Sequence, residues 1–327
     1  MNPFIMKKIM VTGAAGQIGT ELIKVLRKNL GSQNVLATDI QAQPFLETGA
    51  SGPFELLDVT KRKDIERIVN KHGIDTIYHM AAILSATGEK KPQLAWDVNL
   101  NGTANILETA REHRMKRVFI PSSIAVFGPE TPRLNTPQET ILKPKTIYGI
   151  TKVAGELLGN YYVDRFGLDV RGCRFPGIIS HETLPGGGTT DYAVAIFYEA
   201  VKNRRYTCFL EKDTRLPMMY MPDCLKSIVD LMNADFSRLK HHADFNLAAM
   251  SFTPGELAAQ IKKHIPEFVC KYKPDFRQAI AESWPMTIDD SAARAEWRWS
   301  PKYDLAAMTQ DMLGVLSVRR AAGQLND

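Results

Sequence analysis

Apolar positions in the first 175 residues alternate between strand-sized runs and helical stripes. Ile9–Thr12 is an apolar run closed by glycines, and the stretch 18–30 puts Ile18, Leu22, Val25, Leu26 and Leu30 on one helical face. Further strands are predicted at 35–38, 54–57, 76–80, 118–120 and 170–175, with helical patterns at 64–71, 94–112 and 148–166 between them. Parallel neighbours need long crossovers, so this rhythm predicts an α/β fold with a doubly wound parallel sheet covered on both faces. After Phe175 the rhythm breaks into Pro- and Gly-bearing loops, with helices near 192–202 and 224–232 and a late strand at 243–248 returning to the main sheet. The expected division is a sheet domain at 1–175, rejoined by about 213–250; a smaller lid region from 176–212 and 251–318; and a flexible tail at 319–327.

Composition narrows the class. A chain of 327 residues, 44% hydrophobic and 24% charged, can bury a large core. No apolar stretch approaches the roughly 20 residues that span a bilayer, and residues 1–6 are too short for a secretory signal, so a cytoplasmic location without membrane contact is expected. Cys173, Cys208, Cys224 and Cys270 lie far apart without a CxxC pair, and the histidines show no ligand spacing, so neither a metal site nor a disulfide framework is expected. The net charge of +5 is dispersed along the chain, which argues against nucleic acid and suits an enzyme that binds an anionic cofactor.

Candidate chemistry begins at Gly13-Ala14-Ala15-Gly16-Gln17-Ile18-Gly19, a glycine turn between a strand and a helix. There a phosphate can approach backbone amides at the positive helix end because no Cβ intervenes. A glycine pattern alone is also what a plain structural turn contains. Asp39, at the end of the second strand, stands where an acid binds adenosine ribose hydroxyls and repels a 2′-phosphate, and no Lys or Arg follows at 40–43. NAD is therefore preferred over NADP. Asp58 ends the third strand in the same way, either to contact adenine or to serve a helix N-terminus beside Thr60. Tyr148 and Lys152 lie one helical turn apart. A phenol of pKa about 10 is a poor base, but a nearby ammonium and a positive oxidised nicotinamide favour its phenolate. Ser122 or Ser123, at the carboxyl end of the fifth strand, can orient a substrate oxygen.

Taken together, Thr12–Gly19, Asp39, Asp58-Val59, His79-Met80-Ala81-Ala82, Asn99, Ser123 with Phe127-Gly128, and Tyr148 with Lys152 resemble the extended short-chain dehydrogenase/reductase family over nearly the whole chain. The resemblance implies a Rossmann sheet with a smaller C-terminal substrate or lid domain, and NAD held by Gly13, Gly16, Gln17, Ile18, Gly19, Asp39, Asp58, Val59, Ala81, Asn99, Tyr148, Lys152, Pro176 and Ile178. It also implies Ser123, Tyr148 and Lys152 as the catalytic group. Four downstream segments, at 175–180, 184–192, 217–223 and 283–285, resemble the branch of that family that oxidises the β-hydroxyl of L-threonine to 2-amino-3-ketobutyrate. That likeness implies an amino-acid substrate contacted by Ser85, Ser123, Tyr148, Gly187, Thr189 and Asp191, with Gly186–Gly188 as a lid joint. The alternative for Asp191 is a helix N-cap on an exposed loop. Sugar-nucleotide epimerases usually have Asn where Pro176 stands, which counts against an NAD-retaining 4-epimerase. The intact Ser, Tyr and Lys count against a non-catalytic NAD-sensing protein. A homodimer is implied through the helices at 94–112 and 148–166, the second of which is apolar on more than one side.

Overall fold

In the computed structural model, residues 6–42, 51–182 and 186–325 are described. The apolar runs form β1 (Ile9–Thr12), β2 (Val35–Asp39), β3 (Phe54–Leu56), β4 (Thr76–His79) and β5 (Arg117–Phe119), then β6 (Ser122–Ser123) and β7 (Val170–Arg171). All but β6 join in one parallel sheet of order β3-β2-β1-β4-β5-β7. The chain order reverses between β1 and β4, and the crevice beyond the carboxyl ends of those two strands is where open α/β sheets bind ligands.

Both faces are covered, as a parallel sheet requires. On one side Leu22, Ile23 and Leu26 of the helix Gln17–Leu30 pack with Ile228 and Leu231 of the helix Met221–Asn233 and with Trp297 and Trp299. On the other, Ile65 and Ile68 pack with Ile106, Leu107 and Val163, drawn from the helices Arg62–His72, Gly102–Glu112 and Ile147–Phe166. A third apolar cluster unites the helices Tyr192–Asn203, Pro254–His264 and Leu305–Ala321 around Phe197, Ile261 and Leu316.

The predicted strand 170–175 is two strands. It breaks at Gly172 into β7 and β8 (Cys173–Phe175), and these pair in different sheets. Continuous hydrophobicity does not reveal an exchange of partners. After β9 (Gly177–Ile179), β10 (Arg205–Cys208) and β11 (Leu216–Tyr220), the late strand is only β12 (Phe245–Asn246). It returns to β8 and β6 rather than to the six-stranded sheet, giving the parallel order β12-β8-β6. Beyond it, β13 (Met250–Phe252) pairs antiparallel with β11, and β14 (Val269–Tyr272) pairs with β10. The fifth strand stops at Phe119, one residue short of Ile120, because Pro121 has no N–H to continue the ladder. The helical pattern at 94–112 starts earlier, at Pro92, and carries a π-helical stretch at Trp96–Asn101. The last helix continues to Ala321, past the expected tail boundary at Arg319. Gln43, Leu184 and Pro185 fall outside the described residues.

Gly172 is the branch point. Its N–H donates to His242 O at 2.8 Å, and an added Cβ would strike Ile120 O and lie 2.5 Å from Ala243 O. Gly172→Ala should therefore cost about 2 kcal/mol or more and lower the thermal unfolding midpoint by roughly 3 °C or more. An unchanged midpoint in calorimetry would show that the branch has slack.

Candidate active site

The turn after β1 leaves no room for side chains. Gly13 has φ +63°, and a Cβ there would sit 2.6 Å from Ala81 N; one on Gly19 would collide with Gly13 O. Ala14 N donates to Thr38 O and Gly16 N to Gly13 O, both at 3.1 Å, which locks the loop onto the sheet. The following helix starts at Gln17 with no side-chain cap and no acid in its first turn, so its free N–H groups and positive end face the crevice. At the tip of β2, Asp39 Oδ2 accepts the Ala15 N–H at 3.0 Å, which ties the ribose-binding candidate to the same turn. A bare backbone cradle, an uncapped helix end and an adjoining carboxylate fit a dinucleotide with an unphosphorylated ribose.

Across the crevice, the helix Ile147–Phe166 is capped by Thr146 Oγ1, which accepts Gly149 N–H at 3.1 Å. Its first turns present Tyr148 and Lys152. Burial pushes the Tyr148 phenol up to about 12, with the neighbouring Ser123 opposing that shift. Burial brings the Lys152 ammonium down to about 8, with Glu156 opposing that shift. Lys152 Nζ donates to Pro121 O at 2.6 Å and lies 5.6 Å from the Tyr148 ring centre. His79 is no proton donor here: burial, then the Lys152 charge, hold it down to about 3, and Nδ1 meets Thr12 Oγ1 at 2.9 Å.

The third wall follows β9. Ser85 and Thr189, both buried, bring their hydroxyl oxygens within 3.4 Å of each other. Asp191 precedes the helix Tyr192–Asn203 without capping it through its side chain. Its Oδ2 instead accepts the N–H groups of Gly187 and Gly188, at 2.8 and 2.7 Å. Burial raises the Asp191 carboxyl above the usual carboxylate range despite these bonds.

One cleft of about 230 Å³ is bordered by Gly13, Gly16, Gln17, Ile18 and Gly19, by Ser123, Tyr148 and Lys152, by Pro176 and Ile178, and by Ser85, Thr189 and Asp191. Other predicted residues act from behind it. Ala81 N donates to Thr12 Oγ1 at 3.3 Å. Asn99, on the π-helical stretch, grips both backbone groups of Ile83, accepting at 2.7 Å and donating at 3.0 Å. Asp58 and Val59 do not border this cleft: Asp58 Oδ1 accepts from Thr60 N and Oγ1 without capping the helix Arg62–His72, and Val59 is buried against Gly102. Trp284 lies in the 283–285 segment noted for its resemblance but was given no role there; it borders the cleft 93 positions after Asp191. Glu156 escaped the sequence reading: it holds Ser122 and is itself paired with Arg174. Its signal was its place on the next turn after Tyr148 and Lys152.

Among the described residues no cluster of metal-ligating side chains occurs, and no helix is long and apolar enough to cross a membrane. Residues 9–248 match the NAD dependent epimerase/dehydratase family. The chain belongs to that family. An uncharacterized epimerase/dehydratase of Staphylococcus haemolyticus is 53% identical over 309 residues, covering 94% of this chain and 97% of that one. Among solved structures, L-threonine dehydrogenase from Clostridium difficile is 51% identical with TM-score 0.93, covering 98% of this chain and 99% of that one. A monomeric L-threonine 3-dehydrogenase from a metagenome is 47% identical with TM-score 0.91, covering 95% and 99%. This epimerase/dehydratase family member is thus an NAD-dependent enzyme of Rossmann fold acting on a small molecule.

Holding Lys152 dry carries a stability penalty. Its folded pKa of about 8 lies below the ordinary 10.5, so the unfolded chain binds more protons between those values and stability rises with pH across that window. Lys152→Met should raise the unfolding midpoint at pH 7, with the gap to wild type closing between about 8 and 10.5. Thermal melts across that range that stay parallel would contradict the assignment.

Proposed function

We propose that this chain oxidises the β-hydroxyl of L-threonine with NAD, giving 2-amino-3-ketobutyrate. The observation that carries the reading is the single cleft in which Ser123, Tyr148 and Lys152 face Ser85, Thr189 and Asp191. Pro176 in the cleft wall, where sugar-nucleotide epimerases usually have Asn, supports an amino acid over a nucleotide sugar. The likeness to the two L-threonine dehydrogenase structures supports it further.

Each residue has a role in that chemistry. The paired hydroxyls of Ser85 and Thr189 accommodate the carboxylate. Asp191, oriented by two backbone N–H groups and poorly hydrated, gains most from pairing with the substrate ammonium. Ser123 holds the substrate hydroxyl, and Tyr148 Oη, as the phenolate that the Lys152 charge stabilises, takes its proton and becomes the neutral phenol. NAD, when bound, accepts the electron pair released as the Cβ hydrogen departs. Trp284 and the Gly186–Gly188 joint shut out water. The exposed apolar residues Ile150, Leu157 and Tyr161, with Leu94 and Trp96, support pairing of two copies, although one similar protein is described as monomeric.

Purified protein should reduce NAD with L-threonine and leave UDP-galactose unchanged; the reverse result would make it an epimerase. Tyr148→Phe should lower turnover by roughly 10²–10⁴-fold with NAD still bound. Asp191→Asn should raise the KM for L-threonine about tenfold or more while NAD affinity holds. Near-normal kinetics in either variant would remove that residue from its role.

A further inference from the structure

On the helix Ile147–Phe166, Gly149, Lys152, Glu156, Gly159 and Val163 recur at spacings of three and four and form one face. The glycines let that face lie tight on its neighbours: a Cβ on Gly149 would strike Ala125 O, and one on Gly159 would stand 2.6 Å from Ala243 Cβ. Between them is a carboxylate at 3% side-chain exposure. Glu156 receives two parallel bonds from Arg174, Nε to Oε1 and Nη2 to Oε2, both 2.9 Å. It also accepts the Ser122 hydroxyl. Arg174 lies beside Ser122 in the β6–β8 register and is completed by Gln138 O at 3.0 Å and Asn246 Oδ1 at 3.2 Å.

Three successive residues of the strand end thus meet three successive turns of the helix. Ser123 shares the cleft wall with the Tyr148 phenol, Pro121 O takes the Lys152 ammonium, and Ser122 bonds Glu156. Stability alone does not account for the third contact, because a buried ion pair is generally replaceable by apolar residues of similar volume without loss. An apolar pair would fill the space but release Ser122.

We propose that Glu156 is a positioning residue: clamped by Arg174, it grips Ser122 and so fixes the height of the 121–123 strand end against which Tyr148 and Lys152 are set. The inference rests on Tyr148 and Lys152 being the proton-transfer pair. Its reach is indirect, through Ser122 to the backbone and through charge to Lys152, whose ionisation Glu156 supports from the next turn.

The test uses the full chain with NAD and L-threonine and compares Ser122→Ala, Ser122→Thr and the double variant Glu156→Leu/Arg174→Met. Thermal unfolding, NAD affinity, kcat and KM are measured, together with the Lys152 titration midpoint by NMR of methylated lysines. Ser122→Ala should unfold within about 2 °C of wild type and hold KM and NAD affinity, while kcat falls roughly 10- to 100-fold; Ser122→Thr restores it. The double variant should fold, lose kcat similarly and show a lower Lys152 midpoint, since the charge supporting the ammonium is gone. Ser122→Ala with wild-type kcat overturns the proposal; should the double variant not fold, Ser122→Ala decides alone. If the wild-type protein does not oxidise L-threonine, the substrate assignment fails, and the positioning role then stands or falls on the Lys152 midpoint: lowered supports it, unmoved overturns it.

Discussion

The proposed chemistry depends on the seating of one helix on one strand end. The helix Ile147–Phe166 must lie with Tyr148 over Ser123 and Lys152 over Pro121 O, a contact of 2.6 Å, for phenol and ammonium to act as a unit. Gly149 removes the side chain that would prop the helix off the Ala125 turn. The cap from Thr146 starts the helix at the residue that puts Tyr148 in its first turn. A shift of one residue would turn both groups by about 100° and out of the cleft.

The cofactor side obeys the opposite rule. Where the helix wall is crowded with partners, the turn at Gly13–Gly19 is kept bare, so that backbone amides and a helix N-terminus meet an anion directly. The two walls face each other because β1 and β4 flank the point of reversal in the sheet, and β6 continues the line of β5 after the Pro121 interruption. The substrate wall is less rigid in design: Asp191 spends one carboxylate oxygen on the two glycine N–H groups, which orients the group on a segment whose Gly187 sits at φ +98°.

Much of this was legible from pattern. β1 has the predicted bounds because a short apolar run ended in glycine, and Tyr148 and Lys152 could be paired by helical spacing alone, whereas strand position left Ser122 and Ser123 open until the resemblance favoured Ser123. What pattern could not carry was partner choice. The apolar run 170–175 looked like one strand, although Gly172 hands the chain from β5 to β6 as neighbour. Glu156 sat at the right spacing, but its meaning depends on Arg174 in another strand, and a buried carboxylate is uninterpretable without its counter-charge.

The central claim is that Tyr148 withdraws the hydroxyl proton while the Cβ–H bond of L-threonine breaks toward NAD. The most direct measurement follows the label from L-threonine deuterated at Cβ, by mass spectrometry of both the dinucleotide and the amino-acid products. The account predicts deuterium in the reduced dinucleotide and a slower turnover than with unlabelled substrate. Deuterium retained at Cβ, or lost to solvent, would contradict it.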